Sequence, residues 1–340
     1  MRRRLAWPLL LLFLLSGCAG APQSREVGST AVVSVLGAEG AGEDLRLLAA
    51  AEGRGEGGPF LCDSQGATPA AAVETLTNRG EQVVSCAHVE HLLLADSAAG
   101  RLPDLLSYAF QEPQQSTETQ LWVVRSDSLE DAFYGEGDVA KRMAVLKTQG
   151  KNRQGFSPLT LRQAAAALAQ GDPLLIPALA VGENGLDFVG FALYQEGAIT
   201  QWLTGQQALG ASLVMGERIH WTGSGEEGAM MLQSTGCQVR PQWEGDTLVG
   251  LCLHCRLEGV PTGGWTGEGQ DVEQLERETA QGMLQALTAL QGARADAAGL
   301  QGRAGLSNLL RWASLSAQWE EAFPTLPIQT AVTITVTERQ

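Results

Sequence analysis

The run Ile328-Gln329-Thr330-Ala331-Val332-Thr333-Ile334-Thr335-Val336 changes character at every step. A period of two belongs to a β-strand with one packed face, so Ile328, Thr330, Val332, Ile334 and Val336 point to a core and the residues between them to water. Upstream, Thr247 to Glu258 repeats the pattern, with Val249, Leu251, Leu253, Cys255 and Leu257 on the inner face. Between these two strands, from about Asp271 to Ala293, Val272, Leu275, Met283, Leu287 and Leu290 share one stripe of a helix. A sheet with one face to cover and a long amphipathic helix to cover it make an α+β unit.

Toward the N-terminus the signals change. Asp187 to Tyr194 and Ala198 to Leu203 read as a hairpin across Gln195-Glu196-Gly197. Thr160-x-x-Gln163 is a capping box for a helix that carries Leu161, Ala165 and Leu168 on one face and stops at Gly171. Thr68-Pro69 starts another helix, with Val73 and Leu76 inward and Gly80 as its stop. Val32 to Leu36, Leu45 to Ala51, Val83 to Cys86 and Leu121 to Arg125 read as strands, and Val89 to Tyr108 as helix broken near Gly100 and Pro103. Ser128-x-x-Asp131 reads as a second capping box. The polar stretch from Gly135 to Gly155 reads as a linker, and Gly210 marks a further break. The expected fold is α+β and multi-domain, with mixed β-sheets packed with helices. Its expected units are 18–145, an N-terminal α/β-like domain, 146–210, a middle helix and hairpin, and 211–340, a C-terminal domain with the long helix and last strand.

The first residues form an export signal. Arg2, Arg3 and Arg4 precede an apolar core from Leu5 to Leu15, which is too short to span about 30 Å of hydrocarbon. Leu15-Ser16-Gly17-Cys18 then has the form of a bacterial lipobox, in which residues 1–17 are cleaved and Cys18 is acylated. A diacylglyceryl group anchors stably, because each buried methylene adds about 0.8 kcal/mol and a single chain is only marginal. Ala19 to Ser24 would be the tether. Later apolar runs such as Leu174 to Val181 are the size of core strands.

Composition narrows the function. Of 340 residues, 44% are hydrophobic and 18% charged, the profile of a globular chain. Without the three leader arginines, 20 basic residues face 38 acidic ones, a net charge of −18. That charge repels phosphate backbones, so a nucleic-acid partner is not expected. Gly223-Ser224-Gly225-Glu226-Glu227-Gly228 matches G-x-G-x-x-G, but two acids and no following helix make it a turn between strands. Cys237, Cys252, His254 and Cys255 have zinc-ligand chemistry, yet strand alternation sends Cys252 and His254 to one face and Cys255 to the other. Packed cysteines, with Cys237 and Cys252 as a candidate disulfide, fit better. Cys62, Cys86, Cys237, Cys252 and Cys255 are odd in number once Cys18 is acylated, so they cannot all pair within the chain. His88 and His91 could meet on a helical turn, but no third metal ligand is indicated. Trp312 and Trp319, seven residues apart, read as core against the sheet. No nucleophile elbow, Walker A loop or HExxH run is present. No enzyme, cofactor or metal is expected.

The order of these features resembles a family. The lipobox Cys18, Arg25-Glu26-Val27 leading into Val32-Val33-Ser34-Val35-Leu36-Gly37, and Ala72-Val73-Glu74-Thr75-Leu76 come first. His88 ahead of Leu92-Leu93-Leu94-Ala95-Asp96, the run Gly190 to Tyr194, the long helix, Trp312, Trp319 with Phe323-Pro324, and the terminal strand follow. Together they are similar to the Ger(x)C, or GerAC-type, spore germination lipoproteins, the C subunits of nutrient germinant receptors. The resemblance implies three α+β domains held by a lipid anchor on the outer surface of the spore inner membrane, beside the integral-membrane A and B subunits. It implies a non-catalytic role in assembly and signalling, required for nutrient-triggered germination. Gln111-Glu112-Pro113-Gln114-Gln115 departs from the family, which carries arginine there. A solute-binding lipoprotein of an importer is the alternative, and it requires two similar lobes about a hinge.

Overall fold

The structure is a computed structural model that describes residues 30–41, 43–52, 59–78, 83–183, 185–225, 228–262, 270–307 and 309–337. The leader, Cys18 and the tether lie outside them. The fold is α+β, with mixed sheets packed by helices.

The larger sheet has parallel strands at its centre and antiparallel wings. After a short β1 (Thr30–Val32), the strands are β2 (Val35–Ala41), β3 (Asp44–Ala51) and β4 (Phe60–Gly66), with β5 (Val83–Ser85) pairing parallel to β1 outside the sheet. Next come β6 (His91–Ala95), β7 (Gln120–Val124), β8 (Leu159–Thr160), β9 (Leu174–Gly182), β10 (Gly185–Gln195) and β11 (Ala198–Thr204). Their order is β11-β10-β9-β7-β6-β2-β3-β4, with β8 on β7. The contacts β2·β6, β6·β7 and β7·β9 are parallel. The pairing of β7 with β9 carries this sheet across position 145.

Helices cover both faces. On one side lie α1 (Pro69–Asn78), α2 (Leu102–Gln111) and, further along the chain, α5 (Leu161–Gln170). On the other lie α3 (Glu130–Tyr134), α4 (Val139–Lys151) and α6 (Gln206–Val214). Alternate residues of one strand therefore enter different cores: Leu92 and Leu94 join the first, Leu93 and Ala95 the second. Leu121 and Val123 separate from Trp122 and Val124 in the same way.

That double burial explains where the sequence reading fails. Residues 91–95 form a strand and not the start of a helix; only after a 3₁₀ turn does α2 begin, with Pro103 in its first turn. A short apolar run buried on both faces has no period to separate strand from helix. The supposed linker is largely α4, whose Asp138 caps Lys141 N–H at 3.1 Å and whose Val139, Ala140, Met143 and Leu146 are buried. Its exposed Lys141, Thr148 and Lys151 side chains conceal an ordinary amphipathic helix. Ser128 does not close a capping box: its Oγ accepts from Glu130 N–H at 3.2 Å. Thr160 and Gln163 do close one, and the hairpin of β10 and β11 forms as read.

The smaller sheet has the order β12 (His220–Ser224), β13 (Ala229–Glu244), β14 (Thr247–Thr262), β15 (Ile328–Val336), with β15 parallel to β14. Helix α7 (Gln270–Gly292) buries Leu275, Met283, Leu287 and Leu290 against one face. Leu251, Leu253, Cys255 and Leu257 are buried as expected, whereas Val249 is not, because the register skips it at a bulge opposite Gln242 and Trp243. Gly210 is no break. It lies inside α6, where a Cβ would meet Gly282 O of α7 at 2.1 Å, so the crossing of the two helices requires glycine. Beyond α8 (Leu300–Ser307), helix α9 (Trp312–Ala322) buries Trp319, whose ring stacks on Phe323 at 5.4 Å. The Trp312 side chain lies outside the described residues. One hydrophobic core runs without a gap from the large sheet through α6 to the small one.

Candidate functional site

The strongest polar cluster sits where the edge of the large sheet meets α3. Arg46 on β3 donates to Glu39 Oε1 at 2.9 Å, Glu130 Oε1 at 2.8 Å and Asp63 Oδ2 at 3.2 Å. Glu39 is buried, and its other oxygen accepts from Leu129 N–H at 2.6 Å and Ser128 Oγ at 3.2 Å. The hydrogen bond to Glu130, with those to Asp63 and Glu39, raises the Arg46 pKa further against the effect of burial. Three carboxylates converge on one guanidinium and all three are bound to it, so the cluster clamps β2, β3, β4 and α3 together. No motif announced it: its acids are 7, 17 and 84 residues from Arg46.

His91 lies at the start of β6, buried, with Nδ1 accepting from Trp122 Nε1–H at 3.2 Å. Burial lowers its pKa to about 4, so it is neutral at pH 7. His88 stands in the preceding turn and Glu90 pairs with Lys147 Nζ at 2.7 Å, so the two histidines share no helical turn. Among the described residues, no three His, Cys, Asp or Glu side chains converge as metal ligands would.

On the small sheet, Cys252 and His254 face away from the core and Cys255 faces into it, as the alternation requires. His254 Nε2 lies 2.9 Å from Thr333 Oγ1 on the neighbouring strand. The register puts Cys237 opposite Cys255, and Arg240 opposite Cys252. The Cys237–Cys252 pairing raised by the sequence is therefore not the one the sheet favours. In the glycine-rich run Gly223 and Ser224 end β12, Gly225 N–H donates to Gly228 O at 2.8 Å, and a strand, not a helix, follows; Glu226 and Glu227 lie outside the described residues.

Two clefts of about 810 Å³ each open on the large-sheet side. The first lies between α1 and the chain after α2, with Glu74, Tyr108, Glu112, Gln114 and Gln115 on its wall. Gln115 Nε2 is held by Cys86 O at 2.9 Å. This is the segment where the resemblance leads one to expect arginine, so the wall here is neutral and acidic. The second cleft is more apolar, with Leu106, Phe110 and Leu168, and it brings Tyr194 of β10 together with Arg294 and Glu320 from the C-terminal part.

No family model and no curated protein matches the chain. A solved structure does: the crystal structure of the GerBC protein aligns with a TM-score of 0.57 over 88% of this chain and 96% of its own, at 14% identity. The fold is that of GerBC. The likeness takes in both sheets, since neither could be left out of so large a share of the chain. GerBC therefore has in this chain a counterpart of the same architecture, built from a very different sequence. No described helix is long and apolar enough to cross a membrane.

Proposed function

We propose that the chain is the lipid-anchored C subunit of a spore nutrient germinant receptor, acting by assembly and signalling and without catalysis. The GerBC-like architecture over 88% of the chain carries this reading. The lipobox at Cys18 supports the anchor and the extracytoplasmic location on the outer surface of the spore inner membrane. A six-residue tether, Ala19 to Ser24, confines the body to within about 21 Å of the bilayer at roughly 3.5 Å per extended residue, raising its effective concentration toward the A and B subunits. The Arg46 cluster ties elements of the fold to one another, which fits a body that works through surfaces. Three sequence units remain part of the proposal, 18–145, 146–210 and 211–340, with the first two sharing the large sheet.

Deletion is the test. Loss of the gene should abolish nutrient-triggered germination through its receptor and leave germination by non-nutrient agents intact; the protein should co-purify with two integral-membrane subunits. An unchanged nutrient response, where no paralogue can substitute, would move the weight to the solute-binding alternative. Cys18→Ser should lose acyl labelling and leave the chain unprocessed or shed, and normal labelling would remove the anchor from the proposal.

A further inference from the structure

Two of the cysteines stand directly across a strand pair. Cys237 on β13 and Cys255 on β14 are register partners, so their side chains leave the sheet on the same face. Facing residues of an antiparallel pair have Cα atoms about 4.5–5.5 Å apart, within the span of about 4.4–6.8 Å that a disulfide bridges. The two thiols already share a hydrogen bond. A bulge lies beside them: the register shifts between Ser234 and Gly236, and Gly236 takes a φ of 153°. Such a bulge strengthens local twist and lets facing side chains adjust.

We propose that Cys237 and Cys255 form a cross-strand disulfide by exchange with an external disulfide, Cys237 attacking first. The environments of the two sulfurs assign the order. Cys255 is fully buried between Leu253 and Leu257, while Cys237 is partly exposed. Arg303 of α8 reaches the same place, its Nη2 donating to Cys237 O at 2.7 Å. The hydrogen bond from Cys255, helped by the Arg303 charge, lowers the Cys237 pKa, and the same hydrogen bond with burial drives that of Cys255 up.

The exchange balances without any other reagent. The Cys237 thiolate forms a bond to one sulfur of R–S–S–R and releases RS⁻, which takes up a proton. Cys255 then gives up its proton and attacks Cys237 Sγ, expelling the second RS⁻. The protein loses two hydrogens and two electrons, and the external disulfide becomes two thiols. The remaining cysteines do not compete: Cys252 faces Arg240 on the outer side, and Cys62 and Cys86 pack in the core on the far side of the large sheet. This inference stands apart from the receptor reading.

The test uses the full chain with oxidised glutathione as probe, then alkylation and a non-reducing digest. Cleavage after Glu244 and Leu253 separates all three candidate sulfurs. The expected product joins the fragments holding Cys237 and Cys255. Cys255→Ser should instead retain a glutathione adduct on Cys237, Cys237→Ser should carry neither product, and Cys252→Ser should behave as the parent. In the unsubstituted protein, Cys237 should alkylate faster than the other thiols at pH 7, which tests the order of attack even if a variant fails to fold. A Cys237–Cys252 link, or full alkylation of both Cys237 and Cys255 after oxidant, would overturn the proposal. Equal alkylation rates at all the thiols would overturn the assigned order.

Discussion

The parallel centre of the large sheet and the paired strands β14 and β15 of the small one bury apolar side chains by different rules. In β6 all five residues are buried, odd ones against α3, α4 and α6, even ones against α1, α2 and α5. In β15 burial is confined to one face, with Val332 and Ile334 inside and Thr333 and Thr335 in water. The difference shows how a sheet's surroundings control what its sequence looks like. A strand between two helical layers must be apolar throughout, while one with a single cover alternates.

The comparison breaks first if neighbouring positions of β6 differ in cost. Leu93→Asp and Leu94→Asp should each place an unpaired carboxylate in a core, losing about 4 kcal/mol or more and preventing folding at ordinary temperature. Soluble folded protein from either variant would show that one face of β6 is open. On β15 the same substitution should discriminate. Val332→Asp should cost several kcal/mol, about 3, whereas Thr333→Asp should cost roughly half of one, chiefly the contact of Thr333 Oγ1 with His254. Equal losses in chemical denaturation would reverse the assigned facing.

These rules also explain what could be read in advance. The terminal strand, β14, α7, the hairpin and the Thr160 cap are legible because each has a period or a local hydrogen-bond signature in consecutive residues. Residues 91–95 lack a period, and the polar exposed side of α4 hides its buried one. Gly210 looked like punctuation because its reason, the Gly282 carbonyl, is 72 positions away. The Arg46 cluster was invisible for a related cause, being assembled from β2, β3, β4 and α3. The Cys237–Cys255 register depends on a bulge that moves the pairing by one residue, and nothing in the sequence around Gly236 fixes that shift.

Acid should act on the two regions in opposite directions. His91 in the large sheet has its pKa lowered from 6.5 to about 4 by burial, so the unfolded chain binds more protons between those values and its contribution is lost as pH falls. Asp296, ahead of α8, has its pKa raised from 3.8 to about 6, again chiefly by burial, so the folded state binds the proton and gains stability over nearly the same range. Each effect is on the order of 2–3 kcal/mol at most. Denaturation midpoints from pH 7 to 4.5 should therefore fall more gently with acid in His91→Phe than in the parent, and more steeply in Asp296→Asn. Parallel profiles for all three proteins would show that neither group titrates as its surroundings indicate.

The smallest expected effect separates the same regions through their helix starts. Thr160 Oγ1 accepts from Gln163 N–H at 3.2 Å, and Gln163 Oε1 accepts from Thr160 N–H at 2.9 Å, at a solvent-facing end of α5. Asp296 does the corresponding work for α8, its two oxygens taking Leu300 N–H and Gln301 N–H at 2.8 Å each, but from a half-buried position. Water replaces the Thr160 hydroxyl more readily than it replaces the Asp296 carboxylate. Thr160→Ala should thus cost about 1 kcal/mol. Asp296→Ala strands two partly buried N–H groups and should cost about 2 kcal/mol or more. Measuring both at pH 7 keeps Asp296 ionised, its pKa being about 6, so the carboxylate's own burial cost offsets part of its capping and narrows the gap. Near pH 5 that cost is relieved and the gap should widen; a gap that instead closes in acid would mean that the Asp296 cap depends on its charge more than on shielding from water.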